Sequence, residues 1–200
     1  MFYRFVRFVF SIIVKIAFRL EVSGLDKVPA QGPAILCSNH ISWWDPVILG
    51  CLLKRPVRFM AKRELFSYPI FGTLLRWLGA FPVDRGKADV GAIREGLKVL
   101  EAGEVLGIFP EGTRQRDRTR LGAPHPGAAL LALKTHAPIV PVAIRVSSSE
   151  KKRVRVLFGE PFKLEHHQDA KVTEEMKGAS QEIMTAIREL WREAKPGEAV

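Results

Sequence analysis

Two cysteines in 200 residues are too few for a disulfide framework. Cys37 and Cys51 both sit in apolar runs with no metal-ligand spacing around them, so they read as buried free thiols in a reducing compartment. Acidic residues are also short: 21 Asp and Glu stand against 31 Lys and Arg, a formal charge of +10. That balance points to an anionic partner, such as nucleic acid, an acidic lipid surface or a phosphorylated substrate. No uncharged apolar run approaches the ~20 residues that cross a bilayer as a helix. No G-x-S-x-G turn offers a serine nucleophile, and no internal repeat is visible. Apolar residues, by contrast, make up 47% of the chain, which excludes a disordered or fibrous protein. The length suits one domain that buries ~70% of the surface its unfolded chain would expose.

The first residues, MFYRFVRFVFSIIVKIAFRL, spread their basic residues along the segment and lack a small-residue cleavage site, so they do not read as a signal peptide. On a helix, Arg4, Arg7, Ser11, Lys15 and Arg19 fall within an arc of about 120°. The remaining positions are aromatic or aliphatic. This predicts an amphipathic helix over residues 1–22 lying in a membrane surface, its basic stripe toward the headgroups and its Phe and Ile face in the acyl region. A helix packed on the protein's own core is the competing reading; the width of the apolar face and the single sign of the charges favour the membrane.

Residues 23–200 alternate apolar strands and helices. GPAILCSN, VRFMAK, AFPVDR, EVLGI, PIVPVAIRV and RVRVLFGEPF read as strands. PVILGCLLK, ELFSYPIFGTLLRWLG (broken near Pro69), ADVGAIREGLKVLEAG, PGAALLALKTHA and a polar stretch from about Val172 to Ala194 read as helices. The expected fold is α/β, a largely parallel or mixed central sheet flanked by helices. In such sheets ligand sites gather at the C-terminal ends of strands. Three polar segments stand there: SNH, DRGK and EGTRQRDRTR.

The stretch SNHISWWDP sets His40 five positions before Asp45. Pro46 suits the first position of a helix, which makes Asp45 its expected N-cap. The intervening loop can fold back so that Asp45 accepts one imidazole proton, fixes the tautomer and leaves the other nitrogen as a base. One such spacing is weak by itself. A substrate hydroxyl is the simplest group for His40 to deprotonate. Arg114, Arg116, Arg118 and Arg120 follow a glycine turn, and arginine with exposed N–H groups holds phosphate. Gly112 permits the close backbone approach an anion needs. Glu111 cannot bind phosphate; it holds an arginine in place or accepts from a substrate hydroxyl. Lys62 and Arg85 end two further strands. His125, His136, His166 and His167 have no ligand spacing, and no metal is expected.

Taken together, these segments resemble the 1-acylglycerol-3-phosphate acyltransferase family of glycerolipid acyltransferases. NHISWWD matches its NHxxxxD block, GAFPVDR its arginine-ended second block, FPEGTR its third and IVPVAI its fourth, in order over roughly residues 25–146. One departure is Pro124-His125-Pro126, where many members carry a lysine or aromatic before the following glycine; it leaves acceptor preference open. The resemblance implies that His40, oriented by Asp45, activates the free hydroxyl of lysophosphatidic acid to attack an acyl thioester, acyl-CoA or acyl carrier protein. It implies no acyl-enzyme, metal or prosthetic cofactor. The implied substrate-contacting set is Asn39, Lys62, Arg85, Glu111, Gly112, Thr113 and Arg114. The expected setting is peripheral, on the cytoplasmic face of an anionic membrane, with Trp43 or Trp44 at headgroup depth and no nucleic acid. Glycerol-3-phosphate, another lysophospholipid or a glycolipid as acceptor, a thioesterase, and a non-catalytic basic membrane- or nucleic-acid-binding module remain as alternatives.

Overall fold

The sheet is built outward from three neighbouring strands, AILCS, VLGI and IVPVAIRV, whose residues are almost wholly apolar and buried. The computed structural model describes residues 2–84, 89–117, 119–147, 153–165 and 172–194. β1 (Arg19–Ser23), β2 (Ala34–Ser38), β3 (Val57–Lys62), β4 (Phe81–Val83), β5 (Val105–Ile108), β6 (Ile139–Val146) and β7 (Arg153–Phe158) join in the order β1-β7-β6-β2-β5-β3-β4. All neighbours are parallel except β6 and β7. The fold is therefore mixed α/β with a seven-stranded central sheet flanked by helices.

Successive side chains point to opposite faces, so each central strand feeds two cores. Ile35, Cys37, Leu106 and Ile108 pack on α4 (Val90–Glu101), α5 (Gly127–Thr135) and α6 (Val172–Glu193). Ala34, Leu36, Val105 and Val142 pack on the other side with Ile48 and Leu49 of α2 (Asp45–Leu52) and Val14 of α1 (Phe2–Ala17). A 3-10 turn at Arg63–Ser67 leads into α3 (Pro69–Trp77), so the break expected near Pro69 falls at the helix start. β2, β3, β4 and β5 are parallel neighbours, which sets their C-terminal ends on one rim.

The N-terminal helix stops at Ala17, short of the expected residue 22, because Arg19–Ser23 pair with β7. Its basic stripe is also split. Arg7 Nη1 donates to Leu53 O at 2.5 Å, closing the C-terminus of α2, and Ser11 Oγ donates to Arg7 O. Val57 N donates to Tyr3 Oη at 3.3 Å. One flank of α1 thus docks on the protein, with Val6 and Val14 buried. The opposite flank, Phe5, Phe8, Ile12 and Ile16, is exposed, Ile16 to 80%. Among the described residues no helix is long and apolar enough to cross a membrane.

Candidate active site

β2 delivers Asn39 and His40 to the rim. Asn39 is wholly buried; its Nδ2 donates to Ile144 O at 2.9 Å and its Oδ1 accepts from Ile144 N at 2.7 Å. Both ends of the amide grip β6, so Asn39 anchors the loop that carries His40. The sequence reading gave it to substrate; in the structure both ends of its amide are taken up by Ile144.

His40 Nδ1 lies 2.8 Å from Asp45 Oδ2, with 7% of His40 and 1% of Asp45 exposed. Ile41 N and Ser42 N donate to the same oxygen, each at 2.7 Å. The loop folds back so that Asp45 meets His40, as the sequence allowed, but Asp45 does not cap α2. Instead Trp44 holds the N-cap position without a side-chain bond, and Asp45 is the first helical residue. Its carboxylate turns back onto the preceding loop, where three donors converge. With Asp45 accepting at Nδ1, the neutral imidazole carries its proton there and Nε2 is the free base.

Sequence reasoning did not single out what lies against the imidazole. The Phe109 ring stacks on it at 4.1 Å and 20°, and Phe59 stacks on Phe109 at 5.9 Å and 12°. Gly107, in the middle of β5, makes room: a Cβ there would lie 2.3 Å from the Phe59 ring. The signal was in the text, since Phe109 belongs to FPEGTR and a glycine inside a buried strand marks a close approach. Gln115 N donates to His40 O at 2.8 Å, locking the third motif's loop onto the first.

Glu111 is 2% exposed, and among the described residues no donor meets either carboxylate oxygen in good hydrogen-bond geometry, although the Gln115 amide and the backbone of Gly122 and His40 lie near it. Loss of water pushes its pKa up to about 7, and the negative Asp45 adds to the rise. The Gln115 amide and the backbone of Gly122 and His40 pull it back in part. Among the described residues no arginine pairs with Glu111. Gly112 has φ 63°, and a Cβ on it would lie 2.5 Å from His125 Cδ2. The close approach that glycine permits is filled by the His125 ring rather than left open to an anion; His125 N also donates to Pro110 O at 2.7 Å.

Of the arginine series, Arg114 comes to the site, its guanidinium 4.3 Å above the ring of Trp43. Arg116 is exposed, and Arg120 lies 3.6 Å from Asp117 at the surface. Thr113 is exposed. Lys62 ends β3 with its Nζ 2.9 Å from Glu64. Arg85, Arg118, His166 and His167 lie outside the described residues.

His40, Phe109 and Lys62 open onto a cavity of about 460 Å³. Its walls are almost entirely apolar and come from α1, α2, β3 and α3, with Phe59, Phe10 and Leu74 among them. The volume is that of a site for a small molecule, ~300–1,000 Å³. A buried histidine with a free ring nitrogen, a cation held on an indole and an apolar cavity can together activate a hydroxyl, hold an anionic group and take up a hydrocarbon chain.

The chain belongs to the acyltransferase family, whose sequence profile matches residues 19–145. It is 32% identical over 166 residues to the 1-acyl-sn-glycerol-3-phosphate acyltransferase of Bacillus subtilis, an alignment covering 80% of this chain and 82% of that one. It is 34% identical over 171 residues to the enzyme of that name from Streptococcus pneumoniae, covering 81% of this chain and 63% of the relative. In fold it matches the crystal structure of the 1-acyl-sn-glycerophosphate acyltransferase PlsC from Thermotoga maritima, with a TM-score of 0.72 at 22% identity, over 98% of this chain and 83% of the other.

Proposed function

We propose that the protein transfers a fatty acyl group from an acyl thioester, acyl-CoA or acyl carrier protein, to the free hydroxyl of 1-acylglycerol-3-phosphate, giving phosphatidic acid at a membrane surface. The observation that carries this reading is the buried His40–Asp45 pair facing an apolar cavity of about 460 Å³. The relatives named for this reaction supply the substrate class.

In this mechanism Nε2 of His40 takes the hydroxyl proton as the oxygen attacks the thioester carbon. Asp45 stabilises the imidazolium that forms. The tetrahedral species collapses, the C–S bond breaks, and the imidazolium proton passes to the leaving thiolate. No acyl-enzyme is needed. Phe109 and Phe59 keep the ring in one plane and exclude water from its face. Arg114, held over Trp43, is the phosphate-binding cation, because a planar guanidinium can stack and still offer its N–H edge to an anion. The exposed Phe and Ile side of α1 lies in the lipid surface, and the surplus of positive charge favours an anionic leaflet.

The test is transfer of labelled oleoyl from oleoyl-CoA to lysophosphatidic acid in mixed micelles, wild type against His40→Ala. Product that vanishes in a folded, membrane-bound variant supports both base and acceptor. Equal product from both proteins overturns the role of His40. A lyso-ornithine lipid O-acyltransferase of Pseudomonas aeruginosa is also a relative, 35% identical over 64% of this chain. Other acceptors therefore belong in the same assay, and one preferred over lysophosphatidic acid would replace it.

A further inference from the structure

Exposed large apolar side chains normally scatter over a surface, and a contiguous patch marks an interaction site. Here they do not scatter. Among the described residues, all of them except Val90 belong to three segments: α1, the loop residue Trp43, and residues 68–77 around α3. The same three segments line the apolar cavity, through Tyr3 and Phe10, Trp43, and Phe71 and Leu74. The outer and inner apolar surfaces are thus carried by the same elements. They are also continuous, because the Phe2 ring at the start of α1 meets Trp77 at the end of α3 edge to face, 4.7 Å between centroids at 79°.

We propose that α3 is a second lipid-inserting element, which with α1 forms a two-helix collar whose cavity opens sideways into the acyl layer of an anionic leaflet. This rests on the reading that α1 lies in a lipid surface. Ile70 is 88% exposed and Tyr68 and Trp77 each 62%, too much apolar area on one short segment to leave in water. The charge around the collar suits anionic headgroups: Arg4, Lys15, Lys54 and Arg76 are exposed on or beside its elements. Trp77 and Tyr68, at the two ends of α3, are the residue types that settle at headgroup depth, with Ile70 and Phe71 below them. Lysophosphatidic acid would then reach His40 from within the leaflet, its chain never crossing water.

The test places an environment-sensitive fluorophore, NBD, on Ile70→Cys, on Ile16→Cys and on Val90→Cys, each with Cys51→Ala. Each protein is mixed with vesicles of phosphatidylcholine and phosphatidylglycerol, with and without spin-labelled lipid. The expected result is a blue shift and quenching at positions 16 and 70 and neither at position 90. Alongside, Tyr68→Glu with Ile70→Glu, both outside the cavity wall, should weaken vesicle binding by about tenfold or more, as loss of one large buried apolar side chain would. It should leave turnover of short-chain substrates below their micelle concentration near the wild-type rate. A label at 70 that stays in water while the label at 16 is buried overturns the role of α3 and leaves α1 as the anchor. Labels in water at both positions overturn the membrane reading of α1 itself.

Discussion

Replacing Asp45 by Asn changes one heavy atom and removes one charge, and the loop geometry fixes how the amide must sit. Oδ2 accepts from Ile41 N and Ser42 N, each at 2.7 Å, as well as from His40 Nδ1 at 2.8 Å. Two backbone donors can face only an oxygen, so the amide oxygen takes this place and the NH2 replaces Oδ1. The imidazole keeps its acceptor and its tautomer. What disappears is the negative charge facing the imidazolium in the transition state. Unit charges ~4 Å apart at an effective dielectric of ~20 attract by about 4 kcal/mol, and at ~1.4 kcal/mol per decade this is about a thousandfold in rate. The assay is initial-rate thiol release from acyl-CoA with saturating acceptor, paired with thermal unfolding. The expected result is kcat down about a thousandfold, a little-changed KM and a melting temperature close to wild type. Asp45→Ala should also unfold more easily, because it leaves three donors unpaired at ~1–3 kcal/mol for each one that stays dry. An Asn variant within tenfold of wild-type rate, or one as unstable as the Ala variant, would refute the reasoning.

Glu111→Gln tests the buried carboxyl. Its folded pKa of about 7 lies above the ordinary 4.5, so the folded chain keeps a proton that the unfolded chain releases. Wild-type stability should therefore fall as pH rises from 4.5 to about 7 and level off above. The Gln variant should escape this loss and gain on the order of 3 kcal/mol relative to wild type at pH 8; parallel stability curves from pH 5 to 8 would sink the idea. Gly107→Ala drives a Cβ to 2.3 Å from the Phe59 ring. Denaturant melts should show a loss of ~1–3 kcal/mol from overpacking, together with reduced kcat as Phe109 shifts against His40; an unchanged kcat would show that the stack does not position the base. Arg114→Ala should raise KM for a phosphate-bearing acceptor by about tenfold or more, the worth of one charge-assisted bond. Arg114→Lys should recover little, because an ammonium cannot reproduce the stacked fork; full recovery by Lys would reduce Arg114 to a point charge.

Much of the architecture was legible because it is local. The strand VRFMAK runs from Val57 to Lys62 as the sequence reads, since a run of apolar residues bounded by Pro56 and a charged turn has few other solutions. The helix over Val90–Glu101 follows from its 3.6-residue period and from Asp89, whose side chain accepts from Ala92 N. Polar motifs at the C-terminal ends of β2 and β5 announced the site for the same reason. β1 was not legible: RLEVS continues the amphipathic text of α1, and only pairing with β7, some 130 residues on, makes it a strand. Nor was the antiparallel step between β6 and β7.

The sequence by itself determined the alternation of strands and helices, the two-sided apolar core and the residues able to act as base, orienter and cation. Only the tertiary structure decided what each is near. It chose, of the two places open to Asp45, the fold-back onto His40 and two backbone donors over the helix cap, took up Asn39 on β6, dried Glu111 until it resists ionising, and set His125 over Gly112. It also split the stripe of α1 between protein and surroundings. Propensity and period depend on neighbours in sequence. Burial, charge coupling and strand order depend on which distant segments meet, and that is decided only when the chain closes on itself.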